Sequence, residues 1–237
     1  MQTRKLLPVT LFAIAMAYLE AAVVVYLRQL SGLELTVVAP AAFDPFTGTV
    51  EVGRELATVV MLLTLSWAAG QRLQSRMGFF LVSFGVWDIF YYVWLRVLTG
   101  WPATLLDRDI LFLIPLPWWG PVLAPVLIAL GMTALGAWLV RLVDQGKPWR
   151  LHPLQWTMMT GGLFIMLYTF MADALAALPT DAETLSMMEP TAFRWPLFLI
   201  GLGIGLLALW GKRTQRSGET TSVPTPETEQ AHRVHNS

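Results

Sequence analysis

Two apolar stretches of the chain carry a carboxylate followed eight residues later by an arginine. Glu20 precedes Arg28 and Asp88 precedes Arg96, and segments 20–32 and 88–100 align without a gap at an offset of 68 residues. An ionisable side chain near the middle of a membrane costs at least about 2.5 kcal/mol on insertion scales, so it usually faces a partner or a water-filled cavity. The two acids are therefore the strongest indication of function in the sequence.

Several polar side chains accompany these acids. Tyr91 and Tyr92 follow Asp88 at the three- and four-residue spacing that places side chains on one helix face. Each arginine would lie about 12 Å along the helix from its acid, too far for a salt bridge within the helix, so we expect the arginines at the rim of a pocket. The candidate ligand-binding residues are Glu20, Asp88, Tyr91, Tyr92, Asp173, Arg28, Arg96 and Glu55.

Three functions fit this set of residues. The acids could bind a cation or protons, or another small polar ligand, in coupled transport. They could instead serve a membrane enzyme that acts on a lipid or isoprenoid head group, holding a divalent metal or acting as acid and base. In a structural or accessory subunit of a membrane complex, the acids would only accept hydrogen bonds that fix helix packing. The sequence leaves these alternatives open and predicts neither a cofactor nor a dedicated metal site.

The composition predicts an integral membrane protein. Hydrophobic residues make up 55% of the chain and charged residues 14%, and the mean hydropathy is +0.56. A helix needs about 20 apolar residues to cross a bilayer. Six such runs occur, at about 6–30, 54–70, 77–98, 120–141, 155–178 and 196–211. Cysteine is absent and the net charge is zero, which excludes disulfides and thiolate ligands and gives no indication of nucleic-acid binding.

The predicted fold is an all-α polytopic membrane protein with six transmembrane helices in one bundle, residues 1–211. The alignment of segments 20–32 and 88–100 predicts duplicated hairpins, and Asp173 in the fifth run suggests a degenerate third copy. The repeat units would be about 6–70, 77–141 and 155–211. The alternative is that membrane helices converge on Trp, Arg and Gly at their ends, because the interface favours these residues.

The distribution of positive charge predicts the orientation. With the N-terminus inside, 11 Lys and Arg residues lie in cytoplasmic segments and five lie outside, so the positive-inside rule gives an N-in, C-in topology in a bacterial inner membrane. Apolar sequence runs on to Leu30, which favours a retained first helix over a cleaved signal peptide. The polar tail, 212–237, is predicted to be disordered and cytoplasmic.

Two further segments bear on assembly. Residues 101–119 are too short to span a membrane and too apolar for water, so we expect an interfacial or re-entrant segment, helical near 104–114 and stopped by Pro115 and Pro117. Gly201 and Gly205 have G-x-x-x-G spacing, which permits close helix packing within the chain or in a homodimer. The expected partners are membrane lipids and a second copy or a larger membrane complex.

Overall fold

A computed structural model of the protein describes residues 1–30, 45–147, 149–178 and 191–210. A short 3-10 turn, Thr3–Lys5, precedes the first helix. The described residues form six α-helices: α1 Leu6–Leu30, α2 Pro45–Ala69, α3 Leu73–Thr99, α4 Leu123–Asp144, α5 Pro153–Ala177 and α6 Trp195–Trp210. By length and composition, α1 to α5 can each cross a membrane, whereas α6 is shorter. The chain is thus an all-α, multi-pass membrane protein, and the predicted tail, 212–237, lies outside the described residues.

The second helix is longer than predicted. We expected a span from about residue 54, but α2 begins at Pro45. The prediction was wrong because Glu51, Arg54 and Glu55 interrupt the apolar run. In the structure Glu51 and Glu55 are buried against neighbouring elements, so this helix turns polar side chains inward.

Contacts at the chain start show how the helices alternate in direction. The carboxylate of Asp144, the last residue of α4, accepts hydrogen bonds from the backbone N–H groups of Gln2 and Thr3 at 2.6 and 2.8 Å. The ammonium group of Lys5 donates to the carbonyl oxygen of Ala69 at 2.7 Å. The start of α1 and the ends of α2 and α4 therefore meet at one end of the bundle, which we call the N-terminal end.

Helix α3 forms the centre of the bundle and packs against α4, α1 and α2. Small residues allow α3 and α4 to approach closely: a Cβ added at Gly136 would lie 2.4 Å from the carbonyl oxygen of Gly78, and one at Gly85 would lie 2.5 Å from that of Ala129. Buried aliphatic and aromatic side chains of α3, such as Phe79, fill the surrounding core.

Helices α5 and α6 form a second close pair. A Cβ at Gly162 of α5 would lie 2.6 Å from the carbonyl oxygen of Gly201 and 3.1 Å from the backbone nitrogen of Gly205. The G-x-x-x-G motif therefore serves packing within the chain. A homodimer through another surface stays a prediction.

The segment between α3 and α4 is a β-hairpin rather than a helix. Strands β1 Arg108–Ile110 and β2 Trp119–Pro121 pair antiparallel, with Asp109 opposite Gly120. The helix predicted near 104–114 is wrong, because the Asp107 carboxylate accepts the backbone N–H groups of Ala103 and Thr104 and closes a turn there. We call this side of the bundle, opposite the N-terminal end, the hairpin end.

Candidate functional site

Glu20 forms an ion pair with an arginine of the neighbouring helix. Its side chain is buried, with 7% exposed, and one carboxylate oxygen accepts the hydroxyl hydrogen of Thr58 while the other pairs with Arg54. The same guanidinium contacts Glu51 through Nε and Nη2, each 2.9 Å from Oε2. Arg54 thus lies between two carboxylates, one from α1 and one from α2.

The polar face of α2 explains this arrangement. Glu51, Arg54, Glu55 and Thr58 follow the i, i+3, i+4, i+7 spacing of one helix stripe. Glu51 was not predicted, because it precedes the expected start of the span, and Arg54, at that start, was not among the predicted site residues. The helical spacing of these polar residues could have identified both Glu51 and Arg54 from the sequence.

Glu55 connects α2 to the hairpin. Both of its carboxylate oxygens lie 3.0 Å from the backbone nitrogen of Leu113, which donates to them. The side chain is buried. Glu55, which was predicted to bind a ligand, therefore has the backbone of the loop between α3 and α4 as its direct partner.

A second group of polar side chains lies between α3 and β1. The hydroxyl of Tyr92 donates to Oδ2 of Asp109 at 3.0 Å, and only 3% of Asp109 is exposed. Burial raises the pKa of Asp109 to about 6, although the charge of Arg28 and the hydrogen bond from Tyr92 lower it in part. Asp109 was not among the predicted site residues. The feature that could have identified it is an acidic residue inside an apolar loop.

Asp88 lies near Asp109 but has no direct polar partner among the described residues. The two carboxylates are close enough to repel each other electrostatically, and Asp88 remains partly accessible. Within residues 1–30, 45–147, 149–178 and 191–210, no hydrogen bond or ion pair involves the Asp88 carboxylate. Its charge is therefore available to a ligand.

The two arginines of the aligned segments occupy different surroundings. Arg28 is buried, and its Cζ atom lies 5.1 Å from the ring centroid of Trp101. Arg96 is exposed and donates to the carbonyl oxygens of Gly100 and Pro102, at the end of α3. The structure thus brings Arg28 to the acidic region, whereas Arg96 caps a helix.

Asp173 has contacts of another kind. Its carboxylate accepts the backbone N–H of Thr191 at 2.8 Å and pairs with Arg194 at 3.0 Å. These contacts attach α5 to the segment before α6. The structure does not connect Asp173 to Glu20 or Asp88 by any contact among the described residues.

Tyr91 marks where the two polar groups meet. The charges of Asp109, Arg28, Arg54 and Asp88 all act on its phenol, so side chains from α1, α2, α3 and β1 lie within electrostatic range of it. Glu20 pairs with Arg54, and the same guanidinium is also within electrostatic range of Tyr91. We call the convergent group the hairpin-end cluster: Glu20, Arg28, Glu51, Arg54, Glu55, Asp88, Tyr91, Tyr92 and Asp109.

The charges of the hairpin-end cluster do not balance. It holds five carboxylates and two arginines, an excess of three acids. Arg96 and Arg108 lie on the same side of the bundle, but both are exposed. Full ionisation of the acids would therefore leave negative charge in a largely buried region, which is unfavourable without an added cation or protons.

Aromatic rings line the side of the cluster next to the hairpin. Trp87 lies 6.4 Å between ring centroids from both Tyr91 and Phe112, and Phe112 contacts Trp118 at 5.5 Å. Trp118 stacks on Phe170 of α5 at 6.2 Å. The buried indole N–H groups of Trp87 and Trp118 have no hydrogen-bond partner in the part of the chain that the structure describes.

Among the described residues, no group of three or more His, Cys, Asp or Glu side chains has the arrangement to hold a metal. No family model, curated protein or solved structure matches this chain.

Proposed function

We propose that the protein binds a small cationic or polar ligand at the hairpin-end cluster, as part of proton- or cation-coupled transport. The observation that carries the proposal is the excess of three carboxylates over arginines in a buried region of a membrane protein. Charged side chains at such depth mark ion paths and proton relays in membrane proteins. A bound cation or protons would remove the excess charge.

Asp88 is the centre of the proposed site. Glu20 already has Arg54 and Thr58, and Asp109 has Tyr92. Asp88 has its electrostatic neighbours but no hydrogen bond or ion pair among the described residues. Tyr91 and Arg28 would border the ligand, since both belong to the same electrostatic group.

The proposal includes a specific placement in the membrane. Helix α6, with 16 residues, would be a sixth span of about 24 Å, which a locally thinner bilayer accommodates. The excess of Lys and Arg in the segments at the N-terminal end supports an N-in, C-in topology in a bacterial inner membrane. The hairpin end would then face outward. Duplication of the α1–α2 and α3–α4 hairpins is supported by the aligned acids, although, of the two, only Glu20 has an ion-pair partner among the described residues.

Reconstituted vesicles would test the proposed function. We expect proton or sodium uptake, followed with a pH-sensitive or sodium-sensitive dye inside the vesicles, that Asp88→Asn abolishes. Asp173→Asn is the matched control, because Asp173 is also a helix acid but contacts Thr191 and Arg194 instead of the cluster. Equal uptake by wild type and Asp88→Asn, or none by either, would contradict the proposal.

A structural role in a membrane complex is the second candidate. The ion pair between Glu20 and Arg54 and the contact of Glu55 with Leu113 favour it, because both join separate elements. In that case, neutralising the acids would lower stability or release a partner, and no flux would be present to lose. Action on a lipid or isoprenoid head group stays a prediction.

A further inference from the structure

We propose that the ligand is an organic ammonium compound that also carries an oxygen acceptor, held by the carboxylate of Asp88 beside the rings of Trp87 and Tyr91. This inference rests on the proposed function and names its ligand class. It uses three features of the hairpin-end cluster: an acid and an indole donor that have no partner within the described residues, and neighbouring aromatic rings.

The first feature is the charge of Asp88. The two arginines of the cluster have other direct contacts, since Arg54 pairs with Glu20 and Glu51 and Arg28 lies over Trp101. Asp109 repels Asp88 instead of neutralising it. A ligand with one positive charge would be the counter-ion that this carboxylate does not find in the part of the chain that the structure describes.

The second feature is the aromatic surface beside that acid. Trp87 and Tyr91 lie in a stacked arrangement, and Phe112 of the hairpin contacts Trp87 from another element. Aromatic faces attract ammonium groups, most strongly when tryptophan is present and water is excluded. A small inorganic ion such as Ca²⁺ instead requires six or more oxygen ligands. Among the described residues, the surroundings of Asp88 favour the organic cation.

The third feature is the indole N–H of Trp87. Only 7% of Trp87 is exposed, and its indole nitrogen has no acceptor among the described residues. Buried donors in folded proteins nearly always have a partner. A hydroxyl, ether or carbonyl oxygen near the ammonium group of the ligand would supply it. The ligand therefore has both a cationic centre and an oxygen acceptor.

Calorimetric titration of the purified protein with four probes tests this inference. Choline has an ammonium group and a hydroxyl, tetramethylammonium lacks the hydroxyl, 3,3-dimethylbutan-1-ol is the neutral analogue of choline, and sodium lacks the organic groups. We expect choline to bind more tightly than tetramethylammonium, and no binding of the neutral alcohol. This comparison needs no variant, so it holds even where a substitution impairs folding.

Two variants separate the contributions of charge and donor. Asp88→Asn should weaken choline binding at least about tenfold. Trp87→Phe keeps an aromatic ring but removes the N–H, so it should weaken choline about fivefold and leave tetramethylammonium unchanged. Trp156→Phe is the matched control, because Trp156 lies half-exposed near the start of α5, at the other end of the bundle.

The outcomes distinguish this inference from the proposed function. Asp88-dependent proton or sodium uptake without ammonium binding would overturn the ligand class and leave the transport proposal standing. Binding of the neutral alcohol as tight as that of choline would overturn the role of charge. Equal weakening of both ammonium probes by Trp87→Phe would overturn the oxygen acceptor.

Discussion

The ion pair between Glu20 and Arg54 makes a quantitative prediction about stability. Breaking a buried ion pair by removing one partner typically costs about 3–5 kcal/mol, because the other charge remains buried. The Arg54 side chain is 24% exposed and that of Glu20 only 7%, so water compensates part of the loss. We expect Arg54→Gln to lower the free energy of unfolding by about 2–3 kcal/mol.

The complementary substitution should cost less. In Glu20→Gln the amide oxygen can still accept from Thr58, and Arg54 retains Glu51, so we expect a loss of about 1 kcal/mol. The double variant should lose about 2 kcal/mol, since the buried charge at position 20 is then absent. The sum of the single losses would exceed the double loss by about 1.5 kcal/mol, which is the coupling between the two side chains.

Unfolding in mixed micelles provides the assay. The tryptophan fluorescence of each variant is followed as the mole fraction of dodecyl sulfate rises, and the free energies are compared in a double-mutant cycle. Lys147→Gln, at an exposed position after α4, should change stability by less than about 0.5 kcal/mol. A coupling below about 0.5 kcal/mol would show that Arg54 does not stabilise the charge of Glu20.

Three further predictions concern packing, pH and the hairpin. Gly136→Ala should destabilise the protein by about 1–3 kcal/mol in the same assay, because its Cβ would meet backbone, whereas Gly131→Ala on the same helix, with open space around it, should not. Since burial raises the pKa of Asp109 from 3.8 to about 6, the folded state holds more protons than the unfolded state between these values. The contribution of Asp109 to stability should therefore fall by about 2 kcal/mol as the pH rises from 4 to 6, and Asp109→Asn should remove this part of the pH dependence. Glu55→Leu should speed deuterium exchange at the Leu113 amide about fivefold, because it removes the acceptor; an unchanged rate would contradict this contact.

The long apolar helices were predictable because a bilayer sets their length. The predicted first span, 6–30, matches α1, and α3 differs from its predicted bounds by a few residues. The start of α2 was not predictable from hydropathy alone, since a helix that turns Glu51 and Glu55 into the protein resembles a polar loop. The β-hairpin was missed because Asp107 closes a turn through contacts that hydropathy does not encode.

The candidate site was predictable only in part. Glu20 and Asp88 were predicted as site residues from their depth in apolar runs and their spacing to an arginine. The structure does place both acids among other polar groups. The arginine that pairs with Glu20 and the acid that repels Asp88 could not be predicted, because Arg54 and Asp109 come from elements whose positions depend on tertiary packing. Because Arg28 and Arg96 have the same spacing from their acids, the sequence predicted the same role for both. Only the structure shows that one is buried over Trp101 and the other caps α3.

The hairpin has a consequence for the order in which the protein matures during synthesis. In three contacts of the structure, one partner is synthesised well before the other. Glu20 precedes Arg54, Glu55 precedes Leu113, and Trp118 precedes its stacking partner Phe170. During synthesis, the N-terminal part of a protein generally folds first. The nascent chain therefore holds each of these side chains without its partner for a time, and the hairpin gains its contact with α5 only after that helix has been made. The hairpin should reach its final arrangement at that late stage, after the fifth helix has been translated.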